Sequence, residues 1–380
     1  MRSVTRFLLT VLWAIALLAG GYAMVLRLTE GHRPAAYGSY IVWGLGVAQY
    51  IYFVGISAGA FMLAILYYGF GLKKLEAVAR PALLVAFVGL VAGLLSIWVD
   101  LGHMSRAFTV LTRPNFRSMM AWMIWLYTAY AVVLMITGYM AWKHDARIKL
   151  VALLGAPLVV GFSGGVGALF ATVAARPLWN TSLFPVFFLI GALLSASGLL
   201  MTLLAFQEKA STSTPDALET LSKLVLGLLI VEVLLEWAEY SVALWYGPGG
   251  EHAALTQVLF GSYWWVFWIV HLLLGMAVPA ALLLLPSKSL SAQGIAGFLV
   301  VVTYMAVRLN IVIPGQVTPE LKGLERAFTD PRLVFTYSPS AFEWGIFLFA
   351  VAVAAGLMWA GYRYLPLTSA TAGRKEEKIS

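Results

Sequence analysis

Residues 221–246 read LSKLVLGLLIVEVLLEWAEYSVALWY. The run is long and apolar enough to cross a bilayer as one helix, yet it carries Glu232, Glu236 and Glu239. Their spacing of i, i+4 and i+7 puts all three on one face of that helix. A charged side chain near the bilayer centre costs about 2.5–3.5 kcal/mol on insertion scales. Nothing apolar in the segment offsets that cost. The glutamates must be protonated, paired, or turned toward a wet cavity. Two readings follow. The face is a path for protons, ions or substrate, or it is a structural set paired with buried arginine or histidine that locks a helix bundle. The first is preferred.

Working outward, the chain of 380 residues is 61% hydrophobic and 11% charged. Ten stretches are long enough to span: 7–28, 43–70, 80–101, 120–142, 149–173, 183–206, 221–246, 262–285, 292–314 and 341–364. The expected fold is all-α, a polytopic integral membrane protein of about ten transmembrane helices. Spans 2–5 and 6–9 are expected to form two four-helix bundles, flanked by spans 1 and 10. Residues 1–366 form the membrane domain and 367–380 a polar tail. The spans leave no length for a soluble catalytic domain. Arg2 and Arg6 precede the first span in the manner of a signal peptide, but no small-residue cleavage site follows, so it is kept as a span.

Cysteine is absent. The chain therefore offers no thiolates for an iron–sulfur cluster, no disulfide and no c-type haem attachment. Any electrons must be carried by another molecule. The net charge of +8 is spread over short loops and is no nucleic-acid footprint. Of the 25 Lys and Arg residues, fifteen fall on the side of the N-terminus and ten on the other. The positive-inside rule then puts both termini in the cytoplasm of a cell whose inner membrane holds the protein. The long loops on the far side, 102–119, 174–182, 247–261 and 315–340, are rich in Pro, Gly, Arg and aromatic residues, as a docking surface would be. Glycines 161, 164, 165 and 167 are read as sites of close helix packing.

Further polar residues gather toward that far side. Span 3 ends SIWVDLGHMSRAF, where Ser96, Asp100 and His103 repeat the i, i+4, i+7 pattern. An aspartate beside a histidine can accept and pass protons; the alternative is an interfacial cap paired with Arg106. His271 lies inside span 8, behind Trp264, Trp265, Phe267 and Trp268. These aromatics are an interfacial belt or a stack for a flat ligand. Arg308 and Asn310 lie in the outer half of span 9, and Glu239 or Glu343 is the expected partner of Arg308. Asp100, His103, Glu239, His271, Arg308, Asn310 and Glu343 are expected to collect at similar depth in one outward pocket. Glu236, Glu232 and then Lys223 would continue inward. A quinone suits such a pocket: its ring is flat, its tail is lipid-soluble, and it takes two electrons with two protons.

Short motifs occur in order along the chain: Gly55-Ile56-Ser57-Ala58-Gly59-Ala60; Asp100-Leu101-Gly102-His103; Thr112-Arg113-Pro114-Asn115 with Ser118 and Trp122; Arg176-Pro177-Leu178-Trp179-Asn180; Arg308-Leu309-Asn310; and Tyr337-Ser338-Pro339-Ser340 with Glu343. Together they resemble the polysulfide-reductase membrane-subunit family (NrfD/PsrC-like), in particular its ten-span branch with the membrane subunit of quinone-linked nickel–iron hydrogenases. The resemblance implies a haem-free, quinone-binding subunit of a respiratory complex, with menaquinone the favoured quinone. It implies an iron–sulfur electron-transfer subunit and an extracytoplasmic catalytic subunit as partners. The family often carries Arg where His103 stands. Its small-bundle members place polar quinone contacts early in span 2, where Gln49 or Tyr50 is the substitute here, and some members carry Tyr or His before the span-5 glycines, where this chain has Phe162-Ser163. From the polar cluster and the resemblance together, the expected quinone contacts are Asp100, His103, His271, Tyr50, Gln49, Arg308 and Asn310, and the expected proton path is Glu232, Glu236, Glu239 and Glu343. A proton-coupled secondary transporter is the alternative, a reading that would want an inverted repeat. A b-type cytochrome would want facing histidine pairs, and of the five histidines only His271 is deep.

Overall fold

The computed structural model describes residues 2–176, 178–207, 212–246, 249–285, 289–321 and 323–367. Pro177, Lys209, Lys288, Lys322 and the tail from residue 368, with Arg374, Lys375 and Lys378, lie outside the described residues. Among those described, the regular structure is entirely helical. Apart from short helical turns of three or four residues, the helices are α1 Arg2–Glu30, α2 Leu45–Tyr68, α3 Glu76–Asp100, α4 Met119–Lys143, α5 Ile148–Ala171, α6 Phe184–Ala205, α7 Thr214–Tyr246, α8 Gly249–Leu259, α9 Val266–Leu284, α10 Leu290–Val312 and α11 Ala341–Tyr364.

Nine of these are long and apolar enough to cross a membrane among the described residues. The tenth long helix is α7, set apart by the charges along it. It begins seven residues before the expected start of span 7. The 247–261 loop is also corrected: α8 occupies most of it. Ala254, Leu255, Val258 and Leu259 form an apolar stripe on α8, and Leu255, Val258 and Leu259 pack with Ala243 and Phe267. That burial is what makes the segment helical.

Two four-helix bundles form, as the span count suggested. One contains α2, α3, α4 and α5; the other contains α6, α7, α9 and α10. Helices α1 and α11 pair with each other, and α11 leans on α3. The centre of the molecule is α2, buried along almost its whole length. Small residues let the helices approach there. A Cβ on Gly59 of α2 would collide with the Ala192 carbonyl oxygen of α6, on the seam between the bundles. Of the span-5 glycines, Gly165 and Gly167 lie at tight contacts, whereas Gly161 and Gly164 have ordinary van der Waals space. Leu18, Trp237, Met135 and many other large apolar side chains are exposed on the outer surface, as lipid-facing positions should be.

On the face opposite the termini, the family-like Arg176 and Trp179 act as structural ties. Trp179 stacks on Trp43 and donates to the Ile311 carbonyl at 2.6 Å. Arg176 pairs with Glu320 at 3.0 Å and reaches the Tyr40 carbonyl at 3.2 Å. Gln316, fully buried, accepts from the amides of Val42 and Trp43 and donates to the carbonyls of Trp43 and Val312. These bonds satisfy the backbone where the chain enters α2 and leaves α10.

Candidate functional site

The expected single pocket resolves into two clusters at different depths. The first lies where α1 and α3 end and α2 and α11 begin. Arg27, buried near the end of α1, donates through Nε to the Val99 carbonyl at 2.7 Å and through Nη2 to that of Leu101 at 2.6 Å. It thereby caps the otherwise unpaired carbonyls at the C-terminus of α3. Asp100 is the last residue of α3. Its carboxylate packs over Gly46, where a Cβ would lie 2.6 Å from Oδ1. Gly46 is thus what lets the acid approach the N-terminal turn of α2.

His32 and Tyr37 complete this cluster, and the hydrogen bonds assign their roles. Arg27 Nη2 lies 2.9 Å from His32 Nε2. An arginine can only donate, so in neutral His32 Nε2 accepts and the proton sits on Nδ1. Nδ1–H then donates to the Tyr37 hydroxyl, which donates to Asp100 Oδ1 at 3.4 Å. Burial, followed by the Arg27 charge, holds His32 below its ordinary pKa. Burial and the carboxylates of Asp100 and Glu343 push the Tyr37 phenol well up, so it keeps its proton.

Glu343 shares this cavity with Asp100, Ser96 and Arg27. Its Oε1 accepts from Tyr337 Oη at 2.5 Å, and its Oε2 accepts from the amides of Ala36 and Ser340. With Ser340 it forms a capping box at the start of α11. Tyr337 Oη in turn accepts at 2.7 Å from the amide of Leu45, the first residue of α2. Outside the cluster, and sharing His32 and Tyr37 with it, is a polar cavity of about 590 Å³ whose lining includes Arg33, Arg332 and Thr336.

The second cluster lies in the other bundle. Glu232 and Glu236 of α7 are both buried, and Glu239 is half-buried. The residues between them, Val233, Leu234 and Trp237, are exposed, so the glutamate face turns inward as its spacing implies. His271 Nε2 donates to Glu236 Oε1 at 2.7 Å. Tyr304 donates to Glu232 Oε1 at 2.8 Å, and Thr181 to Glu239 Oε2 at 3.0 Å. His271 stands in Val266–Ala277, which is wound as a π-helix, a form that recurs at functional sites. Glu236, Glu239, His271 and Asn310 line a cavity of about 40 Å³ with Phe267 and Tyr240, space for about two or three waters.

Arg308 is corrected in its partner. Glu343 is held by Tyr337 and Ser340, and Glu239 by Thr181. Arg308 instead lies over the rings of Phe188 at 4.5 Å and Tyr304 at 5.0 Å, the latter bonded to Glu232. Its Nε and Nη1, Glu232 Oε2 and Asn310 Nδ2 are buried without a protein partner. Such groups call for water or a ligand. Arg308 reaches α2 beside Gly55, nine residues on from Gly46, about 14 Å deeper along the helix.

Other expected residues fall elsewhere. His103 is exposed beyond the end of α3, because the helix stops at Asp100 and the i+7 position leaves its face. Asp100 has Arg27 and Tyr37 nearby. Tyr50 is buried and hydrogen-bonds Tyr127 inside the first bundle. Gln49 is buried, with Nε2 3.5 Å from the Phe347 carbonyl and Oε1 unpartnered. Lys223 is exposed and paired with Glu219 at 2.8 Å, away from the glutamate face. Sequence reasoning missed Arg27, His32, Tyr37 and Tyr304, and met Tyr337 only as part of a motif. A buried arginine at the end of a span was the one available signal, at Arg27.

The chain is similar to known proteins over nearly its whole length. The family described as polysulphide reductase, NrfD, matches residues 34–320. A selenate reductase subunit of Mesobacillus selenatarsenatis is 31% identical, covering 88% of this chain and 88% of that protein. The Hdr-like menaquinol oxidoreductase integral membrane subunit of Archaeoglobus fulgidus is 30% identical over 90% of this chain and 88% of its own. The menaquinone reductase integral membrane subunit of Nitratidesulfovibrio vulgaris is 24% identical over 96% of this chain and 93% of its own.

Proposed function

We propose, for a chain that belongs to the NrfD polysulphide reductase family, that it is the quinone-reactive membrane subunit of a respiratory oxidoreductase. One observation carries this reading: the hydrogen-bonded series His32–Tyr37–Asp100 joins a polar cavity to a carboxylate at a helix end. The cavity falls in the size range of small-molecule sites. Its polar rim suits quinone carbonyl oxygens, and the names of relatives that are menaquinol oxidoreductase and menaquinone reductase subunits support the substrate class. Quinone reduction consumes two electrons and two protons, and quinol oxidation releases them. The electrons pass to or from an iron–sulfur partner on this face, beside an extracytoplasmic catalytic subunit. The protons pass through this chain's own groups. Tyr37 holds its proton between His32 and Asp100; once the Arg27 N–H leaves His32 Nε2, that nitrogen can take a proton while Nδ1–H passes one on to Tyr37 and Tyr37 passes its own to Asp100.

Glu239, Glu236 with His271, and Glu232 with Tyr304 form the second part of the reading, a proton path through the second bundle. Seven residues separate Glu239 from Glu232, about 10 Å along α7. Further along α7 toward the termini, Ser222 bonded to Gln293 at 3.1 Å offers the next buried polar pair. The basic bias of the loops puts the termini, with the 367–380 tail, in the cytoplasm.

The test is Asp100→Asn in the purified complex. Quinone-linked turnover should fall about 100-fold or more, while dye-linked turnover of the catalytic partner stays intact. Unchanged quinone-linked turnover would remove Asp100 and this site from the mechanism.

A further inference from the structure

A third feature lies on the face that carries the termini, remote from both acidic clusters. Helices α3 and α4 and the chain leaving α11 enclose a groove of about 350 Å³. Its walls are apolar, with Leu83, Leu84, Phe87, Leu134 and Met135. Leu365, Pro366 and Leu367 close one end, so the surface is a pocket rather than a flat lipid-facing side. Arg80 is the charged residue of the lining. Its Nη1 donates to the Pro366 carbonyl at 3.0 Å, and its Nη2 lies 3.0 Å from His144 Nε2. Lys143, the sequence neighbour of His144, holds its Nζ 5.5 Å over the ring of Trp142, which lines the groove. Trp142 and Tyr139 are both exposed at the groove, where interfacial aromatics belong.

We infer that this groove binds an anionic phospholipid of the adjoining leaflet, with phosphatidylglycerol as the type. The acyl chain lies in the apolar trough, and the headgroup phosphate meets Arg80 and Lys143. Basic pockets between spans at the membrane interface select anionic headgroups in this way. A zwitterionic headgroup brings a second cation that the same two side chains repel. The lipid would also hold the strap 365–367 against α3. The floor of the groove is open at Gly138, where an added Cβ meets nothing within 4 Å. A larger side chain there fills the groove without disturbing helix contacts.

The experiment uses the full chain in its complex, purified in mild detergent and exposed to mixed micelles of equal phosphatidylglycerol and phosphatidylcholine. Native mass spectrometry reads the bound lipids. Wild type should retain phosphatidylglycerol over phosphatidylcholine by about tenfold at the site that Gly138→Leu abolishes. Lys143→Gln, and Arg80→Gln where it folds, should bring that ratio close to one. Lys143 is exposed, so its variant keeps the test valid if Arg80→Gln fails. The inference is overturned if Gly138→Leu retains lipid as wild type does, or if Lys143→Gln keeps the full preference. Displacement of the lipid by added menaquinone, in wild type only, would also overturn it by making the groove a quinone site.

Discussion

His32 stands in the turn after α1 with both ring nitrogens engaged, one by Arg27 and one by Tyr37. Its folded pKa lies below the ordinary value near 6.5. Between the two values the unfolded chain binds more protons, so stability rises with pH. The contribution is complete above about pH 6.5 and is lost as pH falls toward the folded value. The thermal midpoint should therefore drop as pH is lowered from above about 6.5 to well below it, and His32→Gln should flatten that drop; equal slopes for the two proteins would refute it. At the second cluster, Glu236→Gln keeps a hydrogen-bond acceptor for His271 but removes the ionisable group. Turnover should fall about 100-fold with little change in thermal midpoint. Normal turnover would take Glu236 out of the proton path. Gly191 is the complementary position, since a Cβ there would collide with Tyr304 Oη. Gly191→Ala should cost about 1–3 kcal/mol by overpacking, read as a lowered unfolding midpoint, and should push Tyr304 off Glu232.

Among the elements, α7 combines an outward apolar face with a buried acidic one. Trp237 and Leu234 look outward while Glu232 and Glu236 are buried. The π-helical winding of α9 sets His271 against the inner face of α7, with its ring 5.7 Å from that of Phe267. At the other site α11 starts with the Ser340–Glu343 capping box, so the same carboxylate caps a helix and lines the Asp100 cavity. Ser340→Ala should cost about 1 kcal/mol and leave Glu343 with fewer donors. A stability loss without any change in quinone affinity would mean that Glu343 acts only as a cap.

At the level of the whole molecule, the seam between α2 and α6 ties the two bundles and carries Gly55 and Arg308 at its middle. The proposed quinone cluster lies at the outer ends of α1, α2, α3 and α11 and the glutamate face in the second bundle, so coupling between them has to pass the α2–α6 seam. The outer loop after α3 exposes Arg106, Arg113 and Arg117 beside Phe108 and Phe116, which suits an acidic partner surface. Arg113→Glu with Arg117→Glu should therefore reduce co-purification of the proposed iron–sulfur partner, read by mass spectrometry. Undiminished co-purification would place the partner on another loop.

The sequence alone determined the class, the span order and the inward face of Glu232 and Glu236, because hydropathy and helical periodicity act over neighbouring residues, and its ordered short motifs carried the family resemblance. Span count only suggests two bundles; the contacts between helices supply the grouping. Only the tertiary structure separated the polar residues into a rim cluster and a deeper one. Depth and partner choice depend on where each helix ends and what crosses it. Asp100 closes α3, so His103 falls outside, and His32 arrives from a residue range that carries no helical pattern. Arg308 found aromatic faces instead of the expected carboxylate because α6 and α10 meet there, a contact between residues far apart in the sequence.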